Sequence, residues 1–291
     1  KSTGAFSVGV GWSSYDGVMF ETGIQENNIL GTGNIAAVNL MLSQKETQYT
    51  LGLTDPYFLD KNLSAGIDLF HTTRDNSDSS SYSYDTTGGS IHFGWDFTEH
   101  LRQSVRYTLR EDNVNDIDND ASQYIREQEG KNLVSMIGQD LIYDRRDSRI
   151  NPTKGYYASL GTDFAGLGGD SKFIRINLTG IKYYPVAEEV VFSIRGDAGR
   201  IWGIGGRDVR INDRYFLGDV SLRGFEYAGV GARSRYDNDD ALGGNWYATG
   251  SAELVFPIGL PKELGIKGKV FSDAGFIFVN LNTMLNKIFE T

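Results

Sequence analysis

Ala5-Phe6-Ser7-Val8-Gly9-Val10-Gly11-Trp12 alternates large apolar residues with small or polar ones, without a break. In an extended chain Phe6, Val8, Val10 and Trp12 share one face, and Ser7, Gly9 and Gly11 share the other. The same period returns further along. Leu101, Val105, Tyr107 and Leu109 interleave with Arg102, Ser104, Arg106, Thr108 and Arg110. Ile174, Ile176 and Leu178 alternate with Arg175, Asn177 and Thr179, and Val190, Phe192 and Ile194 with Val191, Ser193, Arg195 and Asp197. Near residue 250, Trp246, Ala248, Ala252, Leu254 and Phe256 oppose Asn245, Tyr247, Thr249, Ser251 and Glu253. About thirteen such segments are readable, most of them roughly 9–13 residues long, where strands of soluble proteins usually have about 5–6. A tilted strand needs about 9–11 residues to cross a bilayer, so length favours a transmembrane antiparallel β-barrel over a soluble sandwich.

Two further patterns point the same way. Aromatic residues cluster near segment ends: Trp12 and Tyr15, Tyr57 and Phe58, Trp95 and Phe97, Tyr156 and Tyr157, Tyr183 and Tyr184, Trp246 and Tyr247. They are expected to form girdles at the membrane interfaces. All five prolines (Pro56, Pro152, Pro185, Pro257, Pro261) fall in alternate connections, and the opposite connections carry long polar loops near 73–86, 113–129 and 202–243. Tight turns on one side and long loops on the other are the asymmetry of an outer-membrane barrel, with the loops extracellular.

Composition removes other classes. The 291 residues carry a net charge of −10, which repels nucleic acid. The absence of cysteine excludes disulfides, thiol catalysis and Cys-type zinc sites. No run approaches the ~18 apolar residues of a membrane helix. Lys1-Ser2-Thr3-Gly4 shows no targeting pattern, from which we expect any signal peptide or upstream domain to have been removed.

Candidate chemistry is sparse. His71, His92 and His100 lie on separate segments without metal-ligand spacing. Asp116, Asp118, Asp120 and Glu127 follow calcium-loop spacing superficially, but Ala121 stands where the turn glycine belongs, so a solvated acidic loop is expected there and at Asp237–Asp240. Gly203-Ile204-Gly205-Gly206 does not join a strand to a helix as phosphate loops do. No metal or cofactor site is expected. Parity is more informative. If Ile266 and Val270 face lipid, then Lys267, Lys269 and Asp273 face the lumen, and Glu253 does so from the preceding strand. Two confined carboxylates call for a cation, and arginine's fork suits them best. Arg223 could supply it if its loop folds inward, although an arginine in a long loop is ordinarily solvated.

Ser221-Leu222-Arg223-Gly224-Phe225 resembles the Val-Arg-Gly-Phe/Tyr motif in the sixth extracellular loop of the outer-membrane protein assembly superfamily, which includes BamA, TamA, two-partner secretion transporters and organelle relatives. Asp239–Asn245 followed by Ser251–Pro257 is similar to the return from that loop, and Phe271-Ser272-Asp273-Ala274-Gly275 to the family's Phe-x-Asp-x-Gly strand motif. Gly31-Thr32-Gly33, Asp55-Pro56-Tyr57-Phe58, Asp144–Asp147 and Asn151–Tyr156 match its turns in order. The resemblance covers roughly residues 4–275 and is strongest to BamA-type members.

That resemblance implies a transmembrane barrel over residues 1–275, of a family whose barrels have sixteen strands where about thirteen are readable here, with 202–244 as an inward-folding loop 6 and 276–291 as an atypical end in which the alternation dissolves. It implies that Leu222, Arg223, Gly224 and Phe225 bring the arginine onto Glu253 and Asp273. It implies a non-enzymatic role in the bacterial outer membrane, folding and inserting nascent outer-membrane proteins, with Bam lipoprotein subunits recruited through POTRA domains that this sequence lacks. The first strand, with Phe6, Ser7, Val8, Gly9, Val10 and Gly11, would form a lateral seam whose glycines weaken pairing. The alternative for those glycines is small-residue packing toward the lumen. Rival readings are a TamA-like or two-partner secretion transporter and a passive porin-like channel. Thirteen strands would leave raw edges that lipid does not tolerate, so either about three further strands are missing or the final segment replaces them.

Overall fold

The computed structural model describes residues 3–234, 238–261 and 264–279. Thirteen strands form one antiparallel sheet in strict chain order. They are β1 (Gly4–Ser13), β2 (Gly17–Glu26), β3 (Ile35–Leu42), β4 (Glu46–Asp55), β5 (Ser64–Asp75), β6 (Ser83–Asp96), β7 (Leu101–Asn115), β8 (Gly130–Asp144), β9 (Gly155–Gly169), β10 (Phe173–Ala187), β11 (Val190–Gly203), β12 (Trp246–Pro257) and β13 (Lys267–Phe278). The chain has the fold of a transmembrane antiparallel β-barrel. Among the described residues β1 and β13 are the two edges of the sheet.

The outward face is apolar along its length. Val8, Ile67, Leu69, Leu178, Ile194 and Val270 each leave about half or more of their surface uncovered, as lipid-facing residues do. Their neighbours in sequence point inward and are polar or small, so each strand separates two solvents.

The strands from β6 to β11 are 14–15 residues long, longer than the apolar alternation indicates. Above the apolar band the pairing continues between side chains that are polar on both faces. Thr73 Oγ1 donates to Asp85 at 2.7 Å, Asn115 Nδ2 donates to the same carboxylate at 2.7 Å, and Lys131 pairs with Glu111 at 2.8 Å. The loops expected at 73–86 and 113–129 therefore shrink to Asn76–Tyr82, with the short helix α1 (Ser77–Ser80), and to 116–129, with α2 (Gln123–Arg126).

The boundary expected at residue 275 also moves, because β13 pairs with β12 through Phe278↔Trp246. Phe276 and Phe278 gather around Trp246 with ring centroids 5.1 and 5.5 Å away, while Ile277 is buried on the inner face. Apolar residues on both faces erase the alternation there. Residues 280–291 lie outside the described residues.

The girdle is smaller than expected. Trp12, Tyr57, Phe97, Tyr184 and Trp246 are exposed on the outer surface. Tyr183 and Tyr247 instead line the lumen beside Arg195 and Arg223, and Tyr15 stacks on Tyr227 of loop 6. Strand-end position alone did not reveal which face these rings occupy.

The buried core sits at the loop end, between the wall and the long loop after β11. One cluster joins Val134, Met136, Ala165, Phe173, Ile201 and Val209; another joins Tyr82, Val114, Ile125 and Ile211. Below them Arg110 and Arg175 converge from β7 and β10 on Asp213, at 2.7 and 3.3 Å.

The two-solvent architecture is testable. Leu69→Arg, on the outer face of β5, is expected to cost about 2–4 kcal/mol of folding free energy in phospholipid vesicles, whereas lumen-facing Thr72→Arg costs less than about 1 kcal/mol. Equal costs in reversible denaturant titrations would contradict the assignment of faces.

Candidate functional site: the loop 6 anchor on the barrel wall

Loop 6 joins β11 to β12 and folds back on itself before it reaches the wall. Bridges Tyr215↔Gly244, Leu217↔Val230 and Arg233↔Ala241 zip its two limbs together. The limbs are tied to neighbouring loops by polar contacts. Asp240 accepts from Ser81 Oγ at 2.5 Å and from the Ser122 amide at 2.6 Å, and the Ala241 amide donates to the Ser79 carbonyl at 2.8 Å.

At the tip the chain turns tightly. The Asp219 amide donates to the Phe225 carbonyl at 2.8 Å, and Ser221 Oγ donates to the Gly218 carbonyl at 2.7 Å. Gly218 has φ +138, and a Cβ there would lie 1.7 Å from the Glu226 carbonyl oxygen, so no other residue fits. Gly224 has φ +91 with open space around it; conformation, not crowding, selects glycine at this position.

This turn presents Arg223 to β12 and β13. Its Nε and Nη2 donate to the two oxygens of Asp273, both at 2.7 Å, a bidentate fork. Its backbone amide reaches the same carboxylate at 3.2 Å. Nη1 donates to Glu253 at 2.9 Å and Nη2 also donates to Ser251 Oγ at 2.7 Å. Glu253's other oxygen pairs with Lys269 at 2.9 Å, so two acids meet two cations. The guanidinium lies 3.7 Å from the centroid of the Phe271 ring. Hydrogen bonding to Asp273, and then to Glu253, raises the Arg223 pKa further above its ordinary value against the opposing effect of burial. The group is a fixed cation.

Cross-strand register explains the constellation. Ser251 is opposite Asp273 and Glu253 is opposite Phe271, all on the inner face. Phe271, Asp273 and Gly275 follow one another at every second residue: a platform, a carboxylate and a gap. Leu222, 3% exposed, fills the gap, since a Cβ on Gly275 would stand 3.4 Å from its Cδ1. Phe225 stays half-exposed at the end of the turn.

Arg223, Glu253 and Asp273 are thus brought together, with Leu222 and Gly224 shaping the contact. Ser251, Phe271 and Lys269 complete it. Ser251 and Phe271 appear in the sequence as a strand position and a motif residue but were not read as partners of the arginine, although both share the inward parity of the acids; an apolar Phe271 at an inward position looks like a break in the pattern. The first-strand residues lie at the other edge of the sheet. Phe6, Val8 and Val10 face outward, and Ser7, Gly9 and Gly11 face inward. A Cβ on Gly9 would make only ordinary contact, 3.8 Å from Glu21 Cβ, so packing does not demand glycine there. Among the described residues no group of three or more His, Asp or Glu side chains is placed to hold a metal.

The fold that carries this loop has counterparts among known proteins. Residues 28–287 match the Omp85 superfamily domain. The chain belongs to the Omp85 superfamily. Within this superfamily it is 28% identical over 292 residues to the outer membrane protein assembly factor BamA of Neorickettsia risticii, covering 100% of this chain and 39% of that protein. It is 27% identical to the sorting and assembly machinery component 50 homolog of Mus musculus, covering 98% of this chain and 59% of that one. The solved structure of BamA from Haemophilus ducreyi lacking POTRA domains 1–3 has the same fold, with a TM-score of 0.88 at 21% identity, covering 100% of this chain and 60% of that one. The chain therefore spans little more than a third of the bacterial relative's length.

Arg223→Ala is expected to leave Asp273 without its two guanidinium donors and Glu253 with Lys269 alone. Loss of the anchor should cost about 2–3 kcal/mol of loop attachment, less than for a fully buried pair because the side chains keep some solvent contact. Arg223→Lys, which cannot fork, should fall between. The shift in electrophoretic mobility between heated and unheated samples reports it; an unchanged shift together with full complementation of a depleted strain by Arg223→Ala would contradict the anchor.

Proposed function

We propose that this chain is the membrane-embedded barrel of a bacterial outer-membrane protein assembly factor, the core subunit that folds nascent β-barrel proteins and inserts them into the outer membrane. The observation that carries this reading is the Arg223 fork on Asp273 and Glu253, which draws a whole extracellular loop through the lumen instead of leaving the lumen free. A passive porin-like channel gains nothing from a plug tied to the wall and to three other loops. The similarity to two groups of proteins named as assembly components supports the same conclusion.

The working part is the edge strand β1. It pairs with β2 through all ten of its residues, which leaves its other edge as the place where a further strand can add. A client strand can add to that edge by β-augmentation, gaining main-chain hydrogen bonds before its own barrel exists. Glycines at 9 and 11 keep such pairing weak enough to be released. Chemistry is not required: the product is a rearranged set of hydrogen bonds, and no catalytic group, cofactor or metal takes part. Outer-membrane lipid is the second partner, and Bam lipoprotein subunits, reached through upstream POTRA domains, are the third.

A photo-crosslinking residue at Ser7 or Gly9 of the complete protein, in membranes, is expected to capture nascent outer-membrane chains. A probe at Leu141, in the middle of the sheet, should not. Absence of capture at the first strand, or equal capture at both places, would overturn the templating role. A large, stable, ion-selective conductance in single-channel recordings would favour the porin reading.

A further inference from the structure

Loop 6 touches the barrel at a second place, and that place belongs to the first hairpin, which among the described residues is at the other end of the sheet from β13. A short way past Arg223, Tyr227 stacks on Tyr15 in the β1–β2 connection, with ring centroids 4.2 Å apart and planes 24° from parallel. The Arg74 guanidinium lies over both rings, 5.3 Å from Tyr227 and 5.8 Å from Tyr15. Arg74 is itself fixed, bonded to Glu46 and 3.6 Å from Asp16, next to Tyr15. Phe216, from the other limb of loop 6, stacks on the far side of the group at 6.2 Å from Tyr227. The Tyr15 hydroxyl lies 3.4 Å from Asn76 and Ser79 of the β5–β6 loop.

We propose that Tyr227, Tyr15 and Arg74 form a latch that makes loop 6 a strut between the first hairpin and the β12–β13 pair, holding the β1–β2 hairpin in place while Arg223 holds β12 and β13. This rests on β1 being the working edge and names its regulation: the hairpin is restrained while the strut is seated at both ends and freed when either end lets go. These three are positioning residues, acting on β1 through the hairpin turn. A cation beside two stacked rings suits a reversible contact. It is strong while water is excluded, and every partner can be hydrated once the stack parts.

The test uses hydrogen exchange of the full chain in lipid. Tyr227→Ala is expected to speed exchange of the β1 and β2 amides about tenfold, and Tyr227→Phe, which keeps the stack and the cation–π contact, to leave it near wild type. Amides of β6 to β9 should be unmoved by either. Because a strut is released from either end, Arg223→Ala combined with Tyr227→Ala should free the hairpin no more than Tyr227→Ala alone. Unchanged β1 exchange in Tyr227→Ala, a uniform rise across the barrel, or full additivity of the two substitutions would each overturn the latch. Capture at Ser7 separates this from the templating role. Faster β1 exchange without any client capture leaves the latch standing and removes templating, and capture with unchanged exchange does the reverse.

Discussion

A planar cation with five donors, set between two carboxylates on adjacent strands, fixes the geometry of everything inside this barrel. Asp273 alone could be neutralised by a lysine, but only a guanidinium can satisfy both of its oxygens and still reach Glu253 and Ser251. Fork geometry sets direction as well as distance. The tip of loop 6 must arrive with one orientation, which in turn dictates the tight Gly218–Phe225 turn and the gap at Gly275 that receives Leu222. A well-packed apolar contact of similar size could hold the loop as firmly, so the charges are better understood as fixing its registry on the wall.

Legibility followed the solvent. Where a strand has lipid on one side and the lumen on the other, as in Phe6–Trp12 or Ile174–Leu178, the two-residue period is explicit and the inward parity of Glu253 and Asp273 could be derived from their apolar neighbours. Where strands rise beyond the lipid, both faces meet water or other loops, and pairs such as Thr73–Asp85 leave no hydrophobic trace. The same erasure occurs in the opposite sense at Phe276–Phe278, where Ile277 lies beneath loop 6 and the phenylalanines meet Trp246. Both failures have one cause: alternation reports a contrast between two faces, and it vanishes when the faces become alike.

The contacts of loop 6 were harder to see for a different reason. Ser81 with Asp240, Arg110 with Asp213, and Tyr15 with Tyr227 join residues far apart in sequence, and no local period announces such pairs. Parity supplied the wall side of the Arg223 contact, while the inward path of the loop came only from resemblance. The buried clusters around Phe173 and Tyr82 belong to the same hidden class. They form a soluble-type core above a membrane-type wall, built from residues that read as loop or strand end.

Those differences in solvent bear on how the barrel can move. Lipid pressing on an apolar wall gives no preference for one strand partner over another, so the edges of the sheet are positioned by what lies inside. Inside, the wall is polar and partly wet, and each ion pair or ring stack is individually modest there. Their effect comes from being carried on one loop. Arg223 on β12 and β13, Asp213 on β7 and β10, and Tyr227 on the first hairpin all depend on the same folded element, so each raises the effective concentration of the others. A loop seated at all three is rigid, and one that loses a single seat weakens the remaining two. Weak contacts ganged in this way hold firmly together and let go together.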